Sequence, residues 1–182
     1  MLIPKKAKIV YDGIKFRVYQ WQQKMFDGTH KTFEGVKRTP SVQIIATQED
    51  KIIILEEEQP FVGKFVTVPG GMAEFDEDLK KAAKRELREE TGLISNDWNK
   101  FMEFQIGDSI DWKIDYFIAR NCKKKYQQKL DRGEKIKVKK VTFKEFLKIS
   151  QQEDFRSRYL SSQIKKMSSA KLKNFKQTIF KT

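Results

Sequence analysis

Cysteine occurs once, at Cys122, histidine once, at His30, and proline only four times in a chain of 182 residues. A single cysteine rules out an internal disulfide, so the small cross-linked secreted scaffolds are excluded. No apolar run is long enough to span a bilayer, and Met1-Leu-Ile-Pro-Lys-Lys6 lacks the apolar centre of a secretory signal. These absences lead to the expectation of a cytoplasmic protein with no membrane partner. Cys122 follows the strand-like Tyr116-Phe-Ile-Ala119 and reads as a buried, inert thiol. His30 lies in the turn-like Phe26-Asp-Gly-Thr-His30 and reads as a surface residue. Neither internal repeats nor low-complexity segments appear beyond a general lysine enrichment.

What the chain has in excess is positive charge, and the excess is uneven. The formal net charge is +13, and residues 139–182 hold twelve Lys/Arg against three Asp/Glu, a surplus of nine. Such a tail suits a polyanion such as RNA, yet lysine-rich helical faces are more often simply solvated, and the solvated reading is preferred. Within the same tail, Phe143, Phe146, Leu147 and Ile149 form one apolar stripe. Phe155, Tyr159, Leu160, Ile164 and Met167 form a second, and Leu172, Phe175, Ile179 and Phe180 a third. These spacings predict packed amphipathic helices.

The most specific pattern lies mid-chain. Gly71 is followed after five residues by Glu77, then after seven by Arg85-Glu86-Leu87-Arg88-Glu89-Glu90-Thr91-Gly92-Leu93. A helix through this stretch places Leu79, Ala82, Ala83, Glu86, Leu87, Glu89 and Glu90 on one half of its surface, and Lys80, Lys81, Lys84 and Arg88 on the other. Three carboxylates thus share the half that carries the apolar stripe, which a surface helix turns inward. Glu86 and Glu90 are four residues apart with Glu89 beside them, so the like charges repel. Carboxylate oxygens suit a hard divalent cation, which points to Mg2+-assisted phosphate chemistry with Mn2+ as the substitute ion. A solvated Glu/Lys helix is the plain alternative. The flanks decide against it: an apolar run Lys64–Val68 breaks at Val68-Pro69-Gly70-Gly71, and Gly92 stands where a left-handed helix cap is expected.

Gly71, Glu77, Arg85, Glu86, Leu87, Glu89, Glu90, Gly92 and Leu93 match every fixed position of the Nudix box, G-x5-E-x7-R-E-U-x-E-E-x-G-U with U aliphatic. From average residue usage, a chance match is on the order of one in a million. The chain is identified on these residues as a Nudix hydrolase. A wider likeness covers most of its length and points to the ADP-ribose pyrophosphatase-like, nucleoside diphosphate sugar subgroup. It rests on Val36-Lys-Arg-Thr-Pro-Ser-Val42, Glu56-Glu-Glu-Gln-Pro60 and Asp131-Arg-Gly-Glu134.

The resemblance implies an α/β fold, an α/β/α sandwich with a mixed sheet, N-terminal antiparallel strands and C-terminal helices. One domain spans residues 1–182, divided into an N-terminal strand region (1–60), a catalytic core (61–142) and basic C-terminal helices (143–182). Strands are expected over 14–21, 31–37, 41–46 and 51–55, with turns at Asp27-Gly28 and Glu49-Asp50. Further strands are expected over 101–104, 112–119 and 136–142, with a lysine-rich loop at 123–133.

For function, the resemblance implies hydrolysis of the pyrophosphate bond of a nucleoside diphosphate linked to a sugar, giving a nucleoside monophosphate and a sugar phosphate. The alternatives are a cap hydrolase or a non-catalytic RNA binder using the basic helices. Glu86, Glu89, Glu90 and the Gly70 carbonyl would hold the metal, and Arg85 would position the carboxylates. Glu77 would shape the junction of loop and helix. Glu134 is the first candidate for the catalytic base, ahead of Asp108, Asp111 and Asp115. Trp21 or Trp112 would stack on a nucleobase, and the N-terminal strands would build a homodimer. Three features depart from the subgroup: Pro60 where an arginine is common, Thr67 where a glutamate is common, and no proline between Gly92 and Trp112.

Overall fold

The computed structural model of the chain describes residues 3–107 and 110–181. Strands form at Lys8–Asp12 (β1), Phe16–Lys24 (β2), His30–Arg38 (β3), Ser41–Gln48 (β4), Lys51–Gln59 (β5), Gly63–Thr67 (β6) and Gly70–Met72 (β7). Helix α1, Leu79–Thr91, separates these from Leu93–Ile94 (β8), Asp97–Ile106 (β9), Ile110–Arg120 (β10), Lys123–Lys124 (β11) and Lys135–Val141 (β12). Three helices finish the chain: Phe143–Ile149 (α2), Arg158–Lys165 (α3) and Ser169–Phe180 (α4).

β1, β2 and β3 form an antiparallel meander, and the sheet continues through β10, β4, β5 and β12. β10 runs parallel to β3 and β4, while β9, β7 and β6 pair antiparallel with β10, β4 and β5. Strand alternation sorts the central residues between two cores. Val42, Ile44, Ile53, Phe117 and Ala119 pack under α1 with Ala82, Ala83 and Leu87. Ile45, Ile52, Ile54, Tyr116 and Ile118 face Phe146, Leu160, Ile164, Phe175 and Ile179 of the C-terminal helices. The sheet is thus mixed and covered by helices on both faces, as expected. Both faces of a central strand being buried explains the unbroken apolar run at Ile52–Leu55.

Two sequence expectations need correction. Phe155 belongs to no helix: it forms an isolated parallel bridge with Val66, because the chain between α2 and α3 runs along the free edge of β6. β1, β7, β8 and β11 were not foreseen, since two- to five-residue strands carry too little periodicity to read. The turns do fall where expected, with Gly28 and Glu49 both at positive φ. No helix among the described residues is long and apolar enough to cross a membrane.

Candidate active site

The site forms where β6 ends in Pro69-Gly70-Gly71 and the chain turns into α1. Gly70 has φ +153 and lies so close to Val42 of β4 that a Cβ would overlap the Val42 carbonyl oxygen. At Gly71 a Cβ would sit 2.5 Å from the Glu86 carboxyl carbon and 2.6 Å from each of its oxygens. Glycine at 71 therefore leaves the space that the Glu86 carboxylate fills. α1 starts at Asp78, whose side chain accepts from the Lys81 N–H at 2.8 Å, and ends at Gly92 with φ +68. Ala82, Ala83 and Leu87 are fully buried and fix the rotation of the helix about its axis. That rotation turns Glu86, Glu89 and Glu90 toward the glycine turn.

Arg85 is the organising cation. Its guanidinium forks onto Glu77 at 3.0 and 3.2 Å, donates to Glu86 at 2.7 Å and Glu89 at 3.4 Å, and reaches the Met72 carbonyl at 3.0 Å. Glu90 is buried and accepts the Gly70 N–H at 2.8 Å. Burial dominates the acidities. It pushes Glu86 up to about 7 against the opposing pull of Arg85, with Glu89 and Glu134 adding to the rise. Glu90 is raised well above the usual carboxylate range by burial, which outweighs the Gly70 N–H, with Glu86, Glu57 and Glu134 adding further.

Glu57 is a member of this cluster that the sequence reading passed over. It is buried at the end of β5, raised in pKa by burial, and accepts from Gln59 at 2.5 Å. Glu134, in the turn just before β12, adds its negative charge to the rise at Glu57 as it does at Glu86 and Glu90. The visible signal was alternation: Ile53, Leu55 and Glu57 share the α1 side of β5, so a strand two residues longer than expected would have carried Glu57 inward.

Glu134 itself is half-buried and closes its own turn, its N–H on the Asp131 carbonyl at 3.0 Å and its carboxylate on the Asp131 N–H at 3.3 Å. The loop before it is fastened to the C-terminal end of α1. Lys129 N–H donates to the Glu89 carbonyl, Gln128 to the Glu90 carbonyl, Lys124 to the Thr91 carbonyl, and the Lys125 and Tyr126 N–H groups to that of Gly92.

Of the other proposed residues, Asp115 is buried and ion-paired with Lys100 at 2.9 Å and Lys113 at 3.6 Å, and Asp111 accepts from Gln105. Asp108 lies outside the described residues. Trp112 donates to Ser41 at 3.2 Å, and its ring face carries the Arg38 guanidinium at 3.7 Å. Trp21 packs against Phe33 and over Gly35; five strand positions, about 16 Å, separate it from the Arg38 end of β3. Cys122 is buried, and burial pushes its thiol up to about 12, as an inert cysteine requires.

A divalent cation fits the donor chemistry here: the groups are carboxylates, buried, mutually repelling and short of positive charge. Among the described residues no three of them are drawn into a ready coordination cluster. Arg85 holds Glu86 and Glu89 to one side and the Gly70 N–H holds Glu90, so metal binding entails release of these contacts. A cleft of about 530 Å³ opens at the ends of β5, β6 and β12. Glu57 and Phe65 line it, whereas the carboxylates of α1 do not.

Comparison with known proteins agrees with this geometry. The family model described as NUDIX domain matches residues 37–162. An ADP-ribose pyrophosphatase of Bacillus subtilis (strain 168) is 28% identical over 144 residues, covering 77% of this chain and 78% of the relative. A methanol dehydrogenase activator of Bacillus methanolicus is 27% identical over 146 residues, covering 78% and 79%. Among solved structures, an ADP compounds hydrolase superposes with a TM-score of 0.71 at 17% identity, covering 96% of this chain and 92% of that one. MutT from Aliivibrio salmonicida and Vibrio cholerae superposes with a TM-score of 0.54 at 21% identity, covering 70% and 96%. These two share the fold. With the glycine turn, the acidic helix and the matched span in place, the chain belongs to the Nudix family and is a hydrolase resembling its ADP-ribose pyrophosphatase-like members.

Proposed function

We propose that the chain is a Mg2+-dependent pyrophosphohydrolase acting on a nucleoside diphosphate linked to a sugar, of the ADP-ribose or nucleotide-sugar type. The observation that supports this reading is the buried carboxylate cluster of Glu86, Glu90 and Glu57 beside the Gly70-Gly71 turn, with the Arg85 cation bound to Glu86. In this reading Glu86, Glu89, Glu90 and the Gly70 carbonyl hold the metal. The bound ion would neutralise the diphosphate and lower the pKa of a water. Glu134 would take the proton of an attacking water as the water oxygen bonds to phosphorus and the bridging P–O bond breaks, leaving a nucleoside monophosphate and a sugar phosphate. Glu57 adds acceptor capacity near Glu134. Arg85, anchored on Glu77, holds Glu86 and Glu89 until an ion takes its place, and remains beside them as a fixed positive charge.

The relative from Bacillus subtilis is named for ADP-ribose, which makes that compound the first substrate to test. Glu86→Gln and Glu90→Gln each remove an ionised oxygen without changing shape. Turnover of ADP-ribose and nucleotide sugars is expected to fall a hundred-fold or more, with the thermal midpoint held or raised. Full turnover by both variants would overturn the metal assignment.

The N-terminal strands are proposed to pair two copies of the chain. Ile14 is 96% exposed, and Ile9, Val10, Tyr11, Phe16 and Phe33 also lie open on β1–β3 and the turn between β1 and β2. So much apolar surface on one meander suits an interface with a like surface.

A further inference from the structure

The loop that carries Glu77 is held by cations from two directions. It joins β7 to α1 and reads Ala73-Glu-Phe-Asp-Glu-Asp78, with Glu74, Asp76 and Asp78 exposed, Ala73 buried, and Phe75 and Glu77 half-buried. Each half-buried side chain meets a guanidinium. Arg85 of α1 forks onto Glu77, while Arg17 of β2 lies over the Phe75 ring, its guanidinium carbon 4.0 Å from the centroid.

Arg17 is itself fixed. Its Nε donates to Asp12 at 2.6 Å, from the position directly opposite on β1, and across β3 it is in register with Lys37. The Thr39 N–H closes that end of the strand pair on the Lys15 carbonyl at 3.0 Å. Only 28% of the Arg17 side chain stays exposed. A guanidinium held at its edge by a carboxylate keeps its flat face for a ring, which an ammonium group would not.

The loop has few other ties. Glu77 N–H donates to the Glu74 carbonyl and Glu74 N–H to the Glu77 carboxylate, both at 3.2 Å, which closes a turn around Phe75 and Asp76. Ala73 N–H donates to the Pro40 carbonyl at 2.9 Å. Beyond these, among the described residues, the hydrogen bonds, ion pairs and cation–ring contacts that join residues 74–77 to the rest of the chain come from Arg17 and Arg85. Carboxylates at 74, 76, 77 and 78 repel one another, so a turn charged in this way spreads unless it is pinned. The turn sets the place of Glu77, Glu77 sets that of Arg85, and Arg85 reaches Glu86 and Glu89. Printed contacts of a few ångströms therefore connect Asp12 of the N-terminal meander with two carboxylates of α1.

We infer that Arg17 and Phe75 are positioning residues: stacked together they pin the turn over 74–77, and through Glu77 and Arg85 they keep Glu86 and Glu89 available to a divalent ion. This rests on the proposed metal-dependent hydrolysis. With the turn pinned, Arg85 has a carboxylate of its own at Glu77 and yields Glu86 and Glu89 when an ion arrives. With the turn loose, Glu77 withdraws and the guanidinium stays on the metal-binding pair.

The test is a double-mutant cycle on Arg17→Leu and Phe75→Leu, read by Mn2+ titration in electron paramagnetic resonance and by turnover of ADP-ribose. Each single variant should bind Mn2+ about five-fold more weakly and lose about ten-fold in kcat, with KM little changed. The double variant should lose no more than either single one, because both remove the same contact. Phe75→Tyr keeps a ring under the guanidinium and should hold the parent affinity. If Mn2+ binding weakens as stated but no diphosphate is turned over, the proposed activity fails and the positioning role stands. If ADP-ribose is hydrolysed and both single variants keep parent Mn2+ affinity and kcat, even with a lowered melting point, hydrolysis stands and the positioning role falls. Effects that add in the double variant, a Phe75→Tyr protein as impaired as Phe75→Leu, or a parent that binds no Mn2+ also overturn it. Where Arg17→Leu does not fold, Arg17→Lys takes its place in the cycle, since it keeps a charge for Asp12 without the flat face.

Discussion

At the scale of single residues, Gly70 and Gly71 are adjacent but fail differently when altered. An alanine at 71 meets only the flexible end of Glu86, which can swing aside. Gly71→Ala should therefore melt within a few degrees of the parent yet lose at least a hundred-fold in kcat, read by steady-state turnover beside a thermal scan. An alanine at 70 meets the Val42 backbone at a φ that L-residues avoid, so Gly70→Ala should cost on the order of 2–3 kcal/mol of stability in urea titration.

Proton linkage at Glu86 has a definite sign. Its folded pKa of about 7 exceeds the ordinary value of 4.5, so the folded state holds the proton more tightly than the unfolded one. The resulting stability is complete below pH 4.5 and lost as pH rises through 7, and Glu90 and Glu57 act in the same direction. Metal-free protein should lose on the order of 2 kcal/mol between pH 5 and pH 7.5 in denaturant melts. Stabilisation by added Mg2+ should grow over that same interval, because the ion needs the ionised carboxylates. A metal-free stability that rises with pH would contradict the assignment.

At the scale of elements, α1 and the loop that follows β11 behave as one unit. Four successive carbonyls at the C-terminal end of α1, from Glu89 to Gly92, are taken by Lys124 of β11 and by that loop instead of by water. Gln128 also donates to the Ile136 carbonyl of β12, so one amide ties the helix to the strand that follows Glu134. Gln128→Ala should lower kcat five- to twenty-fold while costing about 1 kcal/mol of stability, the net worth of an ordinary hydrogen bond. Gln128→Glu should not restore kcat, since a carboxylate cannot donate to either carbonyl.

The helix was legible in the sequence because its signals are local: the Asp78 cap, the Ala82/Ala83/Leu87 stripe and the left-handed Gly92. The charges around Glu86 were legible for the same reason. Glu57 and Arg17 were not, because each owes its place to a partner far away in the chain. Glu57 needs the pairing of β5 with β12, and Arg17 needs Phe75 in the loop before α1. Phe155 misled for that reason too, since its spacing fits a helix while its backbone serves a strand.

At the scale of the whole molecule, charge and apolar surface are segregated. The C-terminal helices bury Leu160, Ile164, Phe175 and Ile179 against the sheet and leave Lys165, Lys166, Lys171, Lys173 and Lys176 outward. If these lysines serve only solvation, turnover of a small diphosphate should vary little between 50 and 200 mM salt once ionic effects on the substrate are matched. An RNA-directed protein would instead show binding that falls steeply over that range and survives chelation of the metal. At the opposite end, Ile14→Lys together with Val10→Lys should shift the mass in light scattering from that of two chains to that of one. A parent protein that is already a single chain at micromolar concentration would refute the proposed pairing.

The bridge between Val66 and Phe155 also governs when the protein becomes competent during its synthesis. β6 feeds the glycine turn directly, yet its outer edge is supplied by residues made some ninety positions later. A ribosome-bound chain stalled before Phe155 therefore carries the complete acidic helix beside an unfinished strand edge. Hydrolytic competence should therefore follow emergence of Phe155 from the exit tunnel, when that residue can lock the edge.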